Sequence, residues 1–367
     1  MPALLARWSP ASQRPGSKLQ RVQLEDRRRV HLKDIKHIPL SVLDLAPIVE
    51  GATAREALQH TLDLAQHAER WGYHRYWLAE HHSMPGVASS ATSVLIGYVA
   101  GGTSKIRVGS GGIMLPNHAP LVIAEQFGTL ESLYPGRIDL GIGRAPGSDQ
   151  LTSLALRRGA GSDGHDFPDR LEELRTYLDP SRSPYPLRVR AVPGEGLNIP
   201  IWLLGSSGFS AQLAAELGLP FAFASHFAPD YLLPALELYR SRFKPSEELE
   251  QPRVMIGVNV IAADTTVEAV RLATSQLQQF LNIIRGRPGK LRPPVDSMDD
   301  LWTPEERAIV EKQLAFTVIG DKAAVRDKLQ QIVDLTQADE IIVGGHIYDH
   351  AARLRSYELL AEAVGMI

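Results

Sequence analysis

Eight short apolar runs alternate with amphipathic segments from residue 38 onward, and this alternation constrains the fold more than any other feature of the chain. The runs are rich in Ile, Val, Leu and aromatic residues, which is typical of strands buried on both faces. They cover residues 38–45, 74–79, 106–115, 137–143, 199–204, 221–224, 254–262 and 340–344. Such alternation predicts parallel strands joined by right-handed crossovers. Because no G-x-G-x-x-G sequence follows the first run, we predict a closed (β/α)8 TIM barrel rather than an open doubly wound sheet.

Local capping signals place helices between these runs. Thr53 and Glu56 have the spacing of a capping box, and Gly72 is placed to end the helix that follows. Thr303 and Asp321 are predicted to cap two later helices. The helix after Thr303 has a proline in its first turn. The sequence therefore supports helices in the connections between the strands, as the barrel requires.

Two connections are much longer than the few residues that usually join a strand to a helix. The first covers residues 145–198 and contains a predicted helix over 168–178. The second covers residues 281–315 and is rich in Pro, Gly and basic residues over 285–294. They follow strands 4 and 7 of the predicted barrel, and we expect such insertions to form a lid or a substrate wall. Residues 37–367 are predicted to form a single barrel domain.

Residues 1–36 differ from the rest of the chain. They hold nine Lys or Arg and three acidic residues, and they show no periodic apolar stripe. We expect a basic, poorly ordered N-terminal extension. The alternative is a basic arm that contacts another subunit.

The overall composition limits the partners that we expect. The net charge of −3 gives no support for a nucleic-acid or membrane partner. The chain has no cysteine, which excludes disulfides and thiolate metal sites. No apolar run approaches the roughly 20 residues of a membrane helix, so we predict a cytoplasmic protein.

Polar residues collect where the predicted strands end, which is the rim that carries the chemistry in this fold. The strand interiors between them are mostly aliphatic. The rim residues are Asp44, Glu80, His81, His82, Gly109, Ser110, Gly111, Gly112, Arg144, Ser206, Ser207, Gly208, His226, His346, Asp349 and His350. This asymmetry between the two ends of the strands predicts an active site at the carboxyl ends.

Each of these groups also has a purely structural interpretation. The glycine-rich stretch 109–112 could form a bulge, and Arg144 could pair with Asp139 or Asp149. The turn at Ser207 could simply cap a helix, or its backbone N–H groups could bind a phosphate. Residue types alone leave these alternatives open.

Four motifs, taken together and in order, resemble the bacterial luciferase-like flavin-dependent monooxygenases. They are Leu-Ala-Glu-His-His at 78–82, Ile-Arg-Val-Gly-Ser-Gly-Gly-Ile-Met-Leu-Pro at 106–116, Ala-Glu-Gln at 124–126 and Pro-Gly-Arg-Ile-Asp-Leu-Gly-Ile-Gly-Arg at 135–144. The resemblance extends from residue 38 to the C-terminus. It implies an enzyme that uses reduced FMN as a co-substrate, together with O2, to oxidise a small organic molecule. It also implies a separate flavin reductase and a homodimer.

The resemblance assigns expected roles to individual residues. His81 resembles the active-site histidine that assists proton transfer near the flavin, and Glu80 is similar to a residue on the flavin side of that pocket. Gly111 and Gly112 match the site of a non-prolyl cis peptide behind the isoalloxazine ring. Arg144 resembles the arginine that contacts the flavin phosphate, and its planar, permanently charged guanidinium suits that role.

The flavin phosphate is expected to lie at the turn after the fifth strand. Ser206, Ser207 and Ser210 fall where the family binds this phosphate from a loop and the start of a helix. Members of the family carry a glutamate at the position that aligns with Ser206. Backbone N–H groups at such a helix start favour an anion.

Three other functions are kept as alternatives. A deazaflavin-dependent dehydrogenase on the same barrel would transfer hydride without oxygen. A flavin-binding barrel without catalysis would serve storage or signalling. A metal-dependent hydrolase would use Glu80, His82, His226 and His346 as ligands, but their spacing matches no H-x-H or H-E-x-x-H signature, so we expect no metal.

Overall fold

The computed structural model describes residues 33–145, 150–157 and 164–367. These residues form ten strands, all paired in parallel. The strands are β1 (Leu40–Asp44), β2 (Arg75–Leu78), β3 (Arg107–Ser110), β4 (Ile113–Met114), β5 (Ile138–Gly143), β6 (Ile201–Gly205), β7 (Phe221–Phe223), β8 (Val254–Ala262), β9 (Thr317–Gly320) and β10 (Glu340–Gly344). Pairing runs β1-β2-β3-β5-β6-β7-β8-β10, and β10 returns to β1. The prediction of a closed eight-stranded barrel is confirmed.

Helices occupy the connections and cover the outside of the barrel. Among the described residues they are α1 (Ala54–Arg70), α2 (Thr92–Gly101), α3 (Pro120–Leu133), α4 (Gln150–Arg157), α5 (Phe167–Leu178), α6 (Gly208–Leu217), α7 (Leu232–Arg242), α8 (Thr266–Ile284), α9 (Pro304–Gln313), α10 (Lys322–Thr336) and α11 (His350–Val364). No helix of the described part of the chain has the length and apolar character needed to cross a bilayer.

The predicted helix caps are present. Thr53 and Glu56 form a reciprocal capping box at the start of α1, and Thr303 forms another with Glu306 at the start of α9. The Asp321 carboxylate accepts a hydrogen bond from the Ala324 amide at the start of α10. These side chains satisfy amide groups that the first helical turn leaves without intrahelical partners.

Strands β4 and β9 were not separate elements of the predicted barrel. β4 continues the third barrel strand beyond residues 111 and 112, and it pairs with β5. β9 pairs with the outer half of β8, from Asn259 onward, whereas the inner half of β8 pairs with β10. The nine-residue β8 is long enough for both neighbours. β9 has four residues and lies between a long insertion and the Asp321 cap. Its apolar run was too short to be predicted as a strand.

A buried ionic network fills the amino-terminal end of the barrel. Arg75 lies between Asp139 and Glu340, with N–O distances of 2.6 and 2.9 Å. Arg107 pairs with the other oxygen of Asp139 at 2.6 Å, and the Ser41 hydroxyl donates to Glu340. Asp139 therefore belongs to this end of β5, and Arg144 follows the opposite end of the strand. Asp149, the other partner considered for Arg144, lies outside the described residues.

The two long insertions lie where the sequence placed them, after the fourth and seventh barrel strands. The first contains α4 and α5, and the second leads from α8 through α9 to β9. Residues 285–295, which we call the strap, cross the carboxyl end of the barrel. Leu291 exchanges backbone hydrogen bonds with Ile48 and Glu50 at 3.0 and 2.8 Å, so the strap is fixed to the loop that follows β1.

The last residues of the predicted N-terminal extension pack against the barrel. Lys33 Nζ lies 2.6 Å from Asp339 Oδ1, and Ile35 is buried with its amide donating to Gln330. The prediction for residues 1–32, including the three successive arginines, falls outside the described residues.

Candidate active site

Three histidines from different loops come together at the carboxyl end of the barrel. His81 follows β2, His226 follows β7 and His346 follows β10. Burial, together with the neighbouring His346 and His81, lowers the pKa of His226 to about 3. Burial likewise lowers the pKa of His346 to about 4, with Arg353 and His81 acting in the same direction against Asp44. His226 and His346 are therefore neutral at pH 7, and their rings present hydrogen-bonding atoms without charge.

The position of His226 depends on a glycine in the neighbouring strand. A Cβ atom at Gly257 of β8 would collide with the His226 ring. Asn259, two residues along β8, donates to the His226 carbonyl at 2.6 Å. Although part of His226 is accessible, its Nδ1 atom is buried and has no hydrogen-bond partner among the described residues.

Glu80 forms a second cluster beside the histidines. Its buried carboxylate lies 2.9 Å from His82 Nε2 and 2.9 Å from His118 Nε2, and it accepts from the Met114 amide at 3.0 Å. Burial by itself would raise the pKa of Glu80, but the hydrogen bond and charge of His118, followed by His82 and Met114, outweigh it and lower the pKa. Glu80 is therefore held as a carboxylate that ties the loop after β2 to the end of the third barrel strand.

His118 was missed by the sequence analysis. It lies in the connection between β4 and α3, at the same rim as the predicted polar residues. Its position directly after a strand could have identified it from the sequence. Its carbonyl accepts from Arg170 on α5 at 3.2 Å. His118 thus links Glu80 to the first insertion.

The ligand set of the metal-dependent hydrolase is not assembled. His226 and His346 belong to the cluster with His81, whereas Glu80 and His82 face His118. In the described ranges, Glu80, His82 and His118 form a group of three residues whose ligand atoms all lie within 4.8 Å of one another. The described residues therefore do not support the alternative of a hydrolase with these four ligands at one metal ion.

The Gly111–Gly112 peptide bond is cis, as the resemblance implied. A Cβ atom at Gly111 would lie 2.7 Å from Leu43 Cδ1 and 3.2 Å from Trp77 Cβ. At Gly112 it would lie 2.8 Å from the Gly141 carbonyl oxygen. The packing of the barrel itself therefore requires both glycines, which is a different reason from access to a flavin ring. Because these contacts come from β1, β2 and β5, the peptide lies across the interior of the barrel.

Arg144, which directly follows β5, meets the start of α6. The centre of its guanidinium lies 4.2 Å from the centroid of the Phe209 ring, a cation–π contact. Ser207 is the N-cap residue of α6, yet its side chain makes no capping hydrogen bond. Ser210 is buried against Gly205, and Ser206 is exposed. The cation and the first amides of α6 thus adjoin, an arrangement suited to a phosphate.

Three other rim residues have structural roles. Asp44 is buried and accepts from Tyr76, Thr61 and Arg353 at 2.5 to 2.7 Å. Asp349 caps α11 through the Ala352 amide. His350 pairs with Asp63 at 2.8 Å and stacks on His60.

Comparison with known proteins places this site in a family. A family model described as luciferase-like monooxygenase matches residues 39–338. A luciferase-like monooxygenase of Escherichia coli K12 is 60% identical over 324 residues, which are 88% of this chain and 96% of that protein. The N-acetyl-S-alkylcysteine monooxygenase of Bacillus subtilis is 35% identical over 89% of this chain and 98% of its own length. The crystal structure of apo-MsnO8 is 40% identical with a TM-score of 0.84, covering 90% of this chain and 99% of that one.

More distant solved structures share the fold alone. The oxygenating constituent of 3,6-diketocamphane monooxygenase from Pseudomonas putida, in complex with FMN, has a TM-score of 0.67 at 19% identity, over 89% of this chain and 98% of that one. An F420-dependent secondary alcohol dehydrogenase has a TM-score of 0.62 at 12% identity, over 89% of this chain and 99% of that one. The family model and the 60% identical relative decide the assignment. This chain belongs to the luciferase-like monooxygenase family.

Proposed function

We propose that this protein binds FMN at the carboxyl end of the barrel and uses the reduced cofactor and O2 to oxidise a small organic substrate. The observation that carries the proposal is the contact of Arg144 with the start of α6. In the barrel, the strand that leads to Gly111 and Gly112 lies between β2, which precedes His81, and β5, which precedes Arg144. FMN has a phosphate at one end, which matches Arg144 and the start of α6. It has a flat ring at the other end, which matches the glycine peptide and the loop of His81. The diketocamphane protein, described as an oxygenating constituent in complex with FMN, supports the same assignment.

The residues of the phosphate side fit an FMN dianion. Arg144 would supply two parallel donors, and the first amides of α6 would supply more at the positive end of the helix. The Ser207 hydroxyl and the buried Ser210 lie at the same turn, and the exposed Ser206 lies at its edge. We assign phosphate binding to Arg144 and this turn.

The residues of the reactive side would manage protons and water. When bound in its reduced form, FMN would supply the electrons that activate O2. His81 would hold or deliver a proton next to the ring, and Glu80 would position the loop that carries His81 through its bonds to His82 and His118. The strap would exclude water from the mouth of the barrel, which is its carboxyl end. We further propose that a separate flavin reductase supplies reduced FMN.

A titration and an oxygen measurement test this function. FMN added to the purified protein should change its flavin fluorescence and visible spectrum in a saturable way. With NADH and a separate flavin reductase, an oxygen electrode should record consumption that depends on an oxidisable substrate. Binding of a deazaflavin in place of FMN, with hydride transfer and no oxygen uptake, would instead establish the dehydrogenase alternative. Saturable FMN binding without substrate-dependent oxygen uptake across a broad substrate panel would favour the non-catalytic alternative.

Arg144→Ala should weaken FMN binding by about 10- to 100-fold, because a charge-assisted hydrogen bond contributes about 1.5–3 kcal/mol. Riboflavin, which has the same ring and no phosphate, should bind equally well to the variant and the wild type. Fluorescence titration of both flavins measures the difference. Arg326→Ala on the outer face of α10 is the charge-matched control. An equal loss of affinity for riboflavin would contradict phosphate binding by Arg144.

We also propose that the protein is a homodimer that pairs through α2. This helix has the sequence Thr-Ser-Val-Leu-Ile-Gly-Tyr-Val-Ala-Gly, without a charged residue. Val94 and Tyr98, one turn apart on the same face, are 69% and 44% exposed, and Val122 on the adjacent α3 is 42% exposed. Apolar side chains grouped in this way are typical of an interface between subunits.

Val94→Asp should convert the dimer to a monomer, because a buried carboxylate without a partner opposes association. Light scattering coupled to size-exclusion chromatography measures the mass in solution. Val267→Asp is the matched control, since Val267 is 72% exposed on α8, away from α2 and α3. A wild-type monomer, or a Val94→Asp dimer of unchanged stability, would show that α2 is not the interface.

A further inference from the structure

One face of α8 is buried although its side chains are polar. Ser275, Gln276 and Gln279 are 0%, 1% and 6% exposed. Their helical spacing places all three on one side of α8, within about 100° of arc at 3.6 residues per turn. Most polar side chains of soluble helices face solvent, so a buried polar face needs partners.

Each of the three side chains keeps one polar atom without a partner. Ser275 Oγ, Gln276 Nε2 and Gln279 Oε1 are buried and make no hydrogen bond to any described residue. The other ends of the two amides are fixed, since Gln276 Oε1 accepts from the His346 amide at 3.1 Å and Gln279 Nε2 donates to the Gly289 carbonyl at 3.3 Å. These bonds determine the amide orientations, so the remaining atoms are a donor on Gln276 and an acceptor on Gln279.

This face adjoins the histidine cluster. Gln276 holds the backbone of His346, and the Phe280 ring lies edge-on to the His346 ring with centroids 6.5 Å apart. His346 in turn interacts with His226, whose Nδ1 also lacks a partner within the described residues. Gln279 is bonded to Gly289 of the strap, which crosses the mouth. Gln276 and Gln279 therefore reach from α8 to the loop of His346 and to the strap, and Ser275 lies beside them on the same face of the helix.

We propose that this polar face of α8, together with His226, binds a neutral substrate group that both donates and accepts hydrogen bonds, of which a secondary amide is the simplest example. The inference rests on the proposed function, because it assigns the substrate side of the same mouth. A carboxylate is a weaker match, since it only accepts, and the arginine that acts on His346 already pairs with a carboxylate. This arginine is Arg353, whose charge acts on His346 and whose guanidinium donates to the buried Asp44 at 2.7 Å.

Unpartnered atoms that serve a ligand leave a characteristic signature on substitution. A buried hydroxyl without a partner destabilises the folded chain, so Ser275→Ala should raise the melting temperature by about one to three degrees. The same change removes a hydrogen bond to the ligand, so it should weaken ligand binding by about 2- to 10-fold. Gain of stability together with loss of binding is not expected of a structural serine.

The test uses N-methylacetamide as the neutral probe and acetate as the anionic one. Ligand-detected NMR titrations are made on the full chain with and without FMN, and thermal unfolding is followed in parallel. Wild type should bind N-methylacetamide more tightly than acetate, and Ser275→Ala combined with Gln279→Met should weaken it by about 10- to 100-fold if two hydrogen bonds are lost. FMN affinity should stay unchanged in these variants.

Ser41→Ala is the matched control, because Ser41 is equally buried but donates to Glu340 at the opposite end of the barrel. It should lower the melting temperature and leave probe binding unchanged. A fall in melting temperature for Ser275→Ala, or tighter binding of acetate than of the amide, would overturn the inference. Failure of the wild type to bind FMN would reject the proposed function separately, since the probes are also titrated without the flavin.

Discussion

His81→Ala should lower substrate-dependent oxygen uptake by about 10²- to 10⁴-fold, the range that a positioned general acid or base contributes. FMN affinity should change by no more than about threefold, because we assign the binding of the phosphate to Arg144 and the start of α6. His81 lies in the loop that Glu80 ties down, and it interacts with His226 and His346. With His226 and His346 both held neutral, His81 is the member of the cluster to which we assign proton transfer.

The measurement separates flavin binding from turnover. Fluorescence titration gives the FMN affinity, and an oxygen electrode gives the rate at saturating reduced flavin. Added imidazole should partly restore the rate of His81→Ala, which would not follow from a structural defect. His37→Ala is the control, since His37 is exposed before β1, at the amino end of the barrel. Equal losses of FMN affinity and turnover in His81→Ala would show that the residue binds flavin instead.

Arg75→Met should reduce the free energy of unfolding by about 3–5 kcal/mol, the typical loss when one partner of a buried ion pair is removed. Arg75, Asp139 and Glu340 are nearly inaccessible to solvent, so the two carboxylates would lose a shared cation that water cannot replace. Arg107 would still contact Asp139, and Arg253 would still contact Glu340 at 3.2 Å, which limits the loss.

Urea unfolding followed by circular dichroism measures this loss, and Arg271→Met is the control. Arg271 pairs with Glu268 on the surface of α8, where both side chains are more than 40% exposed. An exposed pair of this kind contributes about 0–1 kcal/mol. If both variants lost the same free energy, the ionic network at the amino end of the barrel would not be a major source of stability.

The local sequence determined most of the architecture. Apolar runs of strand length report burial on both faces, and their alternation with capped helices predicts a parallel barrel because few other arrangements bury such strands. Thr53, Thr303 and Asp321 act within one helical turn, so their caps could be read directly. The cis peptide at Gly111 and Gly112 followed from the family motif rather than from local physics.

The grouping of the rim residues depended on the closed barrel. Sequence order gave Glu80, His81 and His82 as neighbours, yet His81 turns toward His226 and His346 whereas Glu80 and His82 turn toward His118. These three residues lie in the loop after β2, and their adjacency in the chain does not say which distant loop each will meet. Only the order of strands around the barrel fixes those distances.

The sequence by itself determined the barrel, the family and the rim where we place the site, because periodicity, caps and motifs are local properties of the chain. Tertiary structure alone decided that Arg144 meets Phe209, that β9 pairs with β8, and that Ser275, Gln276 and Gln279 are buried. A run of polar residues on a helix carries no local sign of burial. It becomes a buried polar face only when the strap and the loop of His346 close over it.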